Sequence, residues 1–268
     1  MHSEYNPTKN DFSFQRVRLE FEALEEQRFP DGKSGNVVRG ALGWAMREQF
    51  PDAYYEFFEP KQFHGPSGLV NRPRPFVLRA NHLDGLTFHP SEAFHVDLHL
   101  FRHTPSEPFV SAFERIPIGR LRTVTSEALS VSLDGAHQGI SNLTLRFVTP
   151  TQLKAEGGLT SVPSFPVVFA RARDRVRALN SAEPTIDFAG LAHRSAGIAL
   201  LSQRLAQRRY ARTSSKTGQT HSLGGFTGDV DYAGMLDEFL PILRAAYWTG
   251  IGRQTVWGKG VIEITFAA

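Results

Sequence analysis

The chain contains no cysteine, which excludes disulfides and thiolate zinc sites while leaving the compartment open. It lacks any apolar run near the ~18 residues that suggest a membrane span. Its first residues, Met1-His2-Ser3-Glu4-Tyr5-Asn6, show no basic segment leading into an apolar core, so no secretory signal is read. The expectation is a cytoplasmic protein with no membrane partner. Also missing are a carboxylate cluster of the kind that assembles catalytic metal ions and an aromatic RNP-type motif on the central strands. What remains is 268 residues with 41% hydrophobic content, room for one large globular domain or two small ones.

Acidic charge is scarce in one half only. The net charge is +3, yet residues 1–134 carry 15 Lys and Arg against 18 Asp and Glu, and residues 135–268 carry 15 against 9. Residues 171–216 alone hold 10 basic side chains against 3 acidic ones. Such clustering is the electrostatic footprint of a phosphate-backbone binder, although a solvated helix face produces it too. Arginine predominates there, which suits bidentate phosphate contacts.

Near the C-terminus, Gly250-Ile251-Gly252-Arg253-Gln254-Thr255-Val256-Trp257-Gly258-Lys259-Gly260 separates a helical pattern from the alternating strand Val261–Phe266. The spacing fits neither a P-loop nor a dinucleotide fingerprint. Its glycines free backbone amides to approach an anion, so the loop reads as a backbone-built nest or as an ordinary turn before an edge strand.

Periodicity predicts strands at Phe14–Phe21, Pro75–Arg79, Ala93–Phe101 and Leu129–Leu133, a helix after Gly35, and a helix broken by Pro117 between Val110 and Arg122. The order then repeats. A strand at Asn142–Phe147 precedes a helix from Phe165 to Leu179, in which Arg171, Arg173, Arg175 and Arg177 spread around the cylinder. A hairpin pairs Arg204–Arg212 with Leu223–Tyr232, a helix spans Leu236–Trp248, and the terminal strand follows. Each half approximates the split βαβ unit. The predicted fold is α+β, two tandem ferredoxin-like (RRM-like) domains at 1–138 and 139–268 with a central cleft.

Five motifs in order, Val38-Arg39-Gly40-Ala41-Leu42-Gly43, Leu145–Pro150, Gly224–Val230, Phe239–Leu243 and Gly250–Gly260, resemble the CRISPR-associated repeat-processing endoribonucleases of the RAMP superfamily. The resemblance spans residues 14–266. It implies CRISPR repeat RNA as partner, with a CRISPR effector complex as a further one, and a monomer or homodimer. It also implies cofactor-free, metal-independent cleavage by 2′-hydroxyl attack, leaving a 2′,3′-cyclic phosphate. By that likeness Gly250, Gly252, Gly258 and Gly260, with Arg253 and Lys259, lie against RNA. The hairpin grips it through Arg204, Arg208, Arg209, Arg212, Lys216 and His221.

This chemistry needs a base, an acid and a cation for the developing phosphorane charge. Family members often place a histidine on the first helix, which here reads Gly40-Ala41-Leu42-Gly43-Trp44-Ala45-Met46-Arg47, without one. The catalytic candidates are His64 in the loop Gln62–Pro66, Arg39 as charge stabiliser and Tyr54, or its neighbour Tyr55, as proton donor. The missing helix histidine motivates an alternative, a non-catalytic RNA-binding subunit of an effector complex. A third reading, a metal-dependent nuclease, draws on His89, His95, Asp97, His99 and His103.

Overall fold

A computed structural model describes residues 10–59, 71–135, 138–181, 183–213 and 220–266. The strands of its two main sheets are β1 (Asp11–Glu22), β2 (Phe76–Arg79), β3 (Ala93–Phe101) and β4 (Arg120–Ser132), then β5 (Asn142–Thr151), β6 (Ala199–Arg208), β7 (Gly225–Ala233) and β8 (Ile262–Phe266). The helices are α1 (Ser34–Gln49), α2 (Pro51–Phe57), α3 (Glu107–Phe113), α4 (Phe165–Leu179), α5 (Phe188–Arg194) and α6 (Leu240–Thr249).

The two four-stranded antiparallel sheets share one topology. The first runs β2-β3-β1-β4 and the second β6-β7-β5-β8. In each, the first and third strands of the repeat lie at the centre, as two ferredoxin-like βαββαβ units require. Val38, Leu42, Ala45 and Met46 of α1 and Phe109, Ala112 and Phe113 of α3 cover the first sheet through Val17, Leu19, Phe21, Val96 and Leu98. Phe165, Phe169 and Val176 of α4 and Leu240 and Leu243 of α6 cover the second through Leu145, Phe147, Val230 and Ile262.

Strand β1 serves both cores. Val17, Leu19 and Phe21 face α1 and α3, whereas Phe12 and Phe14 join the core of the second half together with Val77 and Phe101. Phe14 packs on Trp248 with ring centroids 4.8 Å apart and also contacts His99 and Phe101. The segment joining the halves is pinned as well: the Asp237 carboxylate accepts the amides of Gln138, Gly139 and Ile140 at 2.8–3.0 Å.

Three expectations change. The broken helix expected at 110–122 is the short α3 followed by the long edge strand β4, and Pro117 sits in the turn between them. The helix expected from Leu236 opens with a 3-10 turn at Asp237–Phe239, and the α-helix begins at Leu240 with Pro241 in its first turn. The hairpin has two tiers. Strands β6 and β7 pair from Ala199 to Gly225, and a separate ribbon pairs Ala211–Thr213 with Thr220–Ser222. No described helix is long and apolar enough to cross a membrane.

Candidate nucleic-acid interface

The glycine loop is folded onto itself. The amides of Ile251, Arg253, Trp257, Gly258 and Gly260 donate to the carbonyls of Gly260, Gln152, Gln254, Thr255 and Pro150. These donors are spent, so the loop is not the open nest that its composition suggested. Its glycines serve close packing instead. Gly260 has φ of +72°, and a Cβ there would lie 1.9 Å from the Ile251 carbonyl oxygen. In α1, Gly35 admits the Trp257 carbonyl, which would stand 2.5 Å from an added Cβ.

Three segments meet on this loop. Lys259 is 5% exposed, and its ammonium donates to the Gly32 carbonyl at 2.5 Å, just before α1. Burial lowers its pKa, partly offset by Asp84 and Asp31. The Tyr210 ring from the hairpin base lies over Gly32, and its hydroxyl donates to Asp31 at 3.0 Å. Gln254 and Gln152 donate from their amides to the Ser222 and Gly224 carbonyls at 2.6 and 2.9 Å.

Beside the loop lies a cavity of about 400 Å³. Asn71, Arg72 and Arg74 form one side, Gln152, Lys154, Arg171, Asp174 and Arg175 another, and Gly252–Trp257 the third. Six basic side chains thus face one carboxylate. Prolines 73 and 75 bracket Arg74, whose Nε donates to the Phe58 carbonyl at 2.7 Å. On α4, Arg171 and Arg175 are four residues apart and share the cavity face. Arg173 and Arg177 point away: Arg173 donates to Asp174, and Arg177 pairs with Glu183 and lies over Phe188.

Next to the cavity is a cation–aromatic stack. The Arg39 guanidinium sits 3.8 Å from the Trp257 ring centroid and 5.0 Å from that of Phe58. Tyr54 also stacks on Phe58, with ring centroids 5.3 Å apart. Such sandwiching holds a cation in place at ~1 kcal/mol or more per ring when desolvated.

The C-terminus of α6 is closed by hydrogen-bond donors from both halves, two guanidinium groups and a neutral imidazole. Arg79 donates to the Tyr247 and Trp248 carbonyls, His99 Nδ1 donates to Trp248 at 3.1 Å, and Arg175 Nε donates to Thr249 at 2.9 Å. The arrangement suits the negative end of the helix dipole. Burial dominates the titration of all three, lowering Arg79 to about 10, Arg175 to about 9 and His99 to about 3.

A family model described as CRISPR-associated endoribonuclease Cas6 matches residues 145–262. Over that stretch the chain is similar to the Cas6 family. A second model, described as an N-terminal domain, matches residues 12–122. A Cas6 (TTHB231) product complex aligns at TM-score 0.63 and 18% identity, over 96% of this chain and 100% of that one. Thermus thermophilus Cas6 (TTHB231) aligns at 0.61 and 18%, over 94% and 98%. A Cas6-RT-Cas1–Cas2 complex aligns at 0.62 and 9%, over 95% of this chain and 29% of that one. These likenesses carry the fold. No curated protein matches the sequence.

In this chain the candidates named from sequence divide into groups. Gly252 and Arg253 line the basic cavity, and Arg39 and Tyr54 stand in the adjoining stack. Gly250, Gly258, Gly260 and Lys259 shape the loop from within. Arg204 pairs with Asp231 at 2.9 Å, where Ser202 and Thr144 also donate. Arg208 and Arg209 line a separate depression with Gly224 and Phe226. Arg212 and His221 are cross-strand partners in the short ribbon, whereas His64 and Lys216 lie outside the described residues.

The histidines do not gather: among the described residues no group of three or more His, Cys, Asp or Glu is placed to hold a metal. Asp97 is gripped by Arg18 through two bonds of 2.8 and 2.9 Å, His95 stacks on His82, and His99 is buried. His103 lines a smaller cavity with Arg102, Arg72 and Arg74. The sequence reading missed Arg72, Arg74 and Lys154 as cavity residues; the Arg-Pro-Arg-Pro run was the available signal for the first two.

Proposed function

We propose that this chain cleaves repeat RNA without a metal ion, with the strand lying across the basic cavity beside the glycine loop. The observation carrying the proposal is the convergence of six cations from both halves on one cavity next to Trp257 and Arg39. In the proposed reaction the 2′-oxygen forms a bond to the adjacent phosphorus while the bond to the 5′-oxygen breaks. One proton leaves the 2′-hydroxyl and one reaches the departing oxygen, so no water is consumed. His64 is assigned as proton acceptor, Tyr54 as proton donor and Arg39 as the counter-charge to the phosphorane.

The test is cleavage of the cognate repeat in EDTA by wild type, His64→Ala, Tyr54→Phe and Arg39→Met, beside a substrate carrying a single 2′-deoxy at the scissile position. Activity that survives chelation and fails on the deoxy substrate supports the mechanism. Full activity in His64→Ala removes that residue from it, and activity that requires added metal overturns the whole proposal. No histidine lines the cavity among the described residues, which favours a second reading, an RNA-holding subunit. Tight binding with no cleavage by any form would select that one.

A further inference from the structure

Three polar atoms around the basic cavity are buried and lack hydrogen-bond partners: Arg175 Nη2, Asp174 Oδ2 and Gln152 Oε1. Arg175 is 8% exposed and Asp174 2%. Each residue has half its capacity committed. Arg175 Nε is taken by the Thr249 carbonyl, Asp174 Oδ1 by Arg173 at 2.6 and 2.9 Å, and Gln152 Nε2 by Gly224. The uncommitted halves are one cationic donor and two acceptors, all closed to water.

Unmade hydrogen bonds on buried charged groups are among the costliest features a folded chain can keep. Arg175 is further disfavoured by Arg79 and Arg74 beside it. The bond from Nε to the Thr249 carbonyl accounts for one edge of the guanidinium but not for the Nη2 edge. Retention of the guanidinium therefore points to a ligand that completes it. The needed complement is an oxyanion for Arg175 and a hydroxyl or amine donor for Asp174 and Gln152. A phosphate alone satisfies only the first; a ribose phosphate presents both, because its 2′-hydroxyl donates.

We infer that Arg175 and Asp174 form a ribonucleotide subsite, in which Arg175 takes a phosphate and Asp174 takes a ribose hydroxyl of the bound strand. The subsite rests on the RNA reading above for the identity of its ligand. Its cationic surroundings, Arg171, Arg74, Lys154 and Arg253, raise the local phosphate concentration. Engagement turns the Arg175 fork toward the cavity, while Nε keeps its bond to α6. Adjacent residues on one helix thus read the two features that together define an RNA backbone.

The experiment has two arms. In the first, thermal unfolding of wild type, Arg175→Met and Arg175→Lys is followed during a titration with inorganic phosphate. Wild type gains stability with the logarithm of phosphate concentration. Arg175→Met gains none of that increment and Arg175→Lys gains part, each measured against its own phosphate-free baseline, because Met also loses the Nε bond to Thr249. Equal gains in all three would mean an adventitious ion only. Equal loss of stability in Arg175→Met with and without phosphate would make the residue merely a cap for α6. Either result overturns the subsite.

In the second arm, binding of the repeat RNA is compared with an all-2′-deoxy strand of the same sequence. Asp174→Asn narrows the preference for ribose by about tenfold, and an unchanged preference removes Asp174 from the subsite. The first arm uses neither repeat RNA nor cleavage, so failure of the nuclease reading and failure of the subsite remain distinguishable.

Discussion

Replacing Lys259 by methionine separates a structural strut from an RNA contact. The ammonium is buried, donates to the Gly32 carbonyl at 2.5 Å and stands 5.3 Å from the Tyr210 ring centroid. A hydrogen bond from a charged donor contributes about 1.5–3 kcal/mol net, and an orphaned buried carbonyl costs about 1–3 kcal/mol. Against this, methionine removes an ammonium whose lowered pKa shows that burial disfavours its charge. The balance is a destabilisation of about 1–2 kcal/mol, a melting shift of roughly 3–6 °C in a chain of this size. Because the ammonium faces the loop before α1, the salt dependence of repeat-RNA binding stays that of wild type. A lost phosphate contact would instead lower the log–log salt slope by about 0.7 for a single strand. Urea denaturation and affinity measured across a salt series read the two quantities independently. Unchanged stability with a reduced slope would refute the strut and restore Lys259 as an RNA ligand.

Three further outcomes follow from the same geometry. The folded pKa of His99 is lowered from 6.5 to about 3, so the unfolded chain takes up that proton first as pH falls. Its contribution is present above pH 6.5 and lost below it, amounting to about 2–3 kcal/mol near pH 4.5; His99→Gln, compared by urea midpoint across pH, removes this slope, and identical slopes contradict the burial. Gly260→Ala, with φ of +72° and the Ile251 carbonyl at 1.9 Å from the new Cβ, costs about 3 kcal/mol or more; a midpoint shift worth under ~1 kcal/mol would show that the loop is loosely held. In binding assays Arg253→Ala lowers the RNA salt slope by about 0.7. Arg204→Ala, 59% exposed and already paired with Asp231, changes affinity by less than about threefold; the reverse ranking would move the RNA path onto the hairpin.

Local pattern made much of the fold legible. Alternation located β3 at Ala93–Phe101, and the helix expected over Phe165–Leu179 is α4. Strand β4 was obscured because its side chains are mostly exposed along an edge, leaving little alternation to read, and because Pro117 suggested a helix break downstream of α3. The two-core role of β1 was hidden because Phe14 and Val17 both belong to an apolar series, yet lie on opposite faces. At the site, the basic excess of residues 171–216 was visible and so was the spread of the α4 arginines. Their division into an Arg171/Arg175 pair on the cavity and an Arg173/Arg177 pair turned away from it follows from the helical period. The meeting of Arg72 and Arg74 with α4 is a long-range contact that no local spacing encodes. The loop glycines announced an unusual backbone without saying whether its amides were free, and the structure commits most of them internally.

The shared use of β1 bears on how this molecule can be cut or shuffled. Its topology is a duplication, which invites chimeras joined near the pinned segment 138–140. Cohesion does not follow that repeat. A first half expressed alone would present Phe12, Phe14, Val77 and Phe101 to water, and a second half alone would lose the rings that seat Trp248 and the Arg79 and His99 donors that close α6. Hybrids built from relatives therefore inherit a working cleft only when the aromatic seam and the Arg79–His99 pair come from a matched parent.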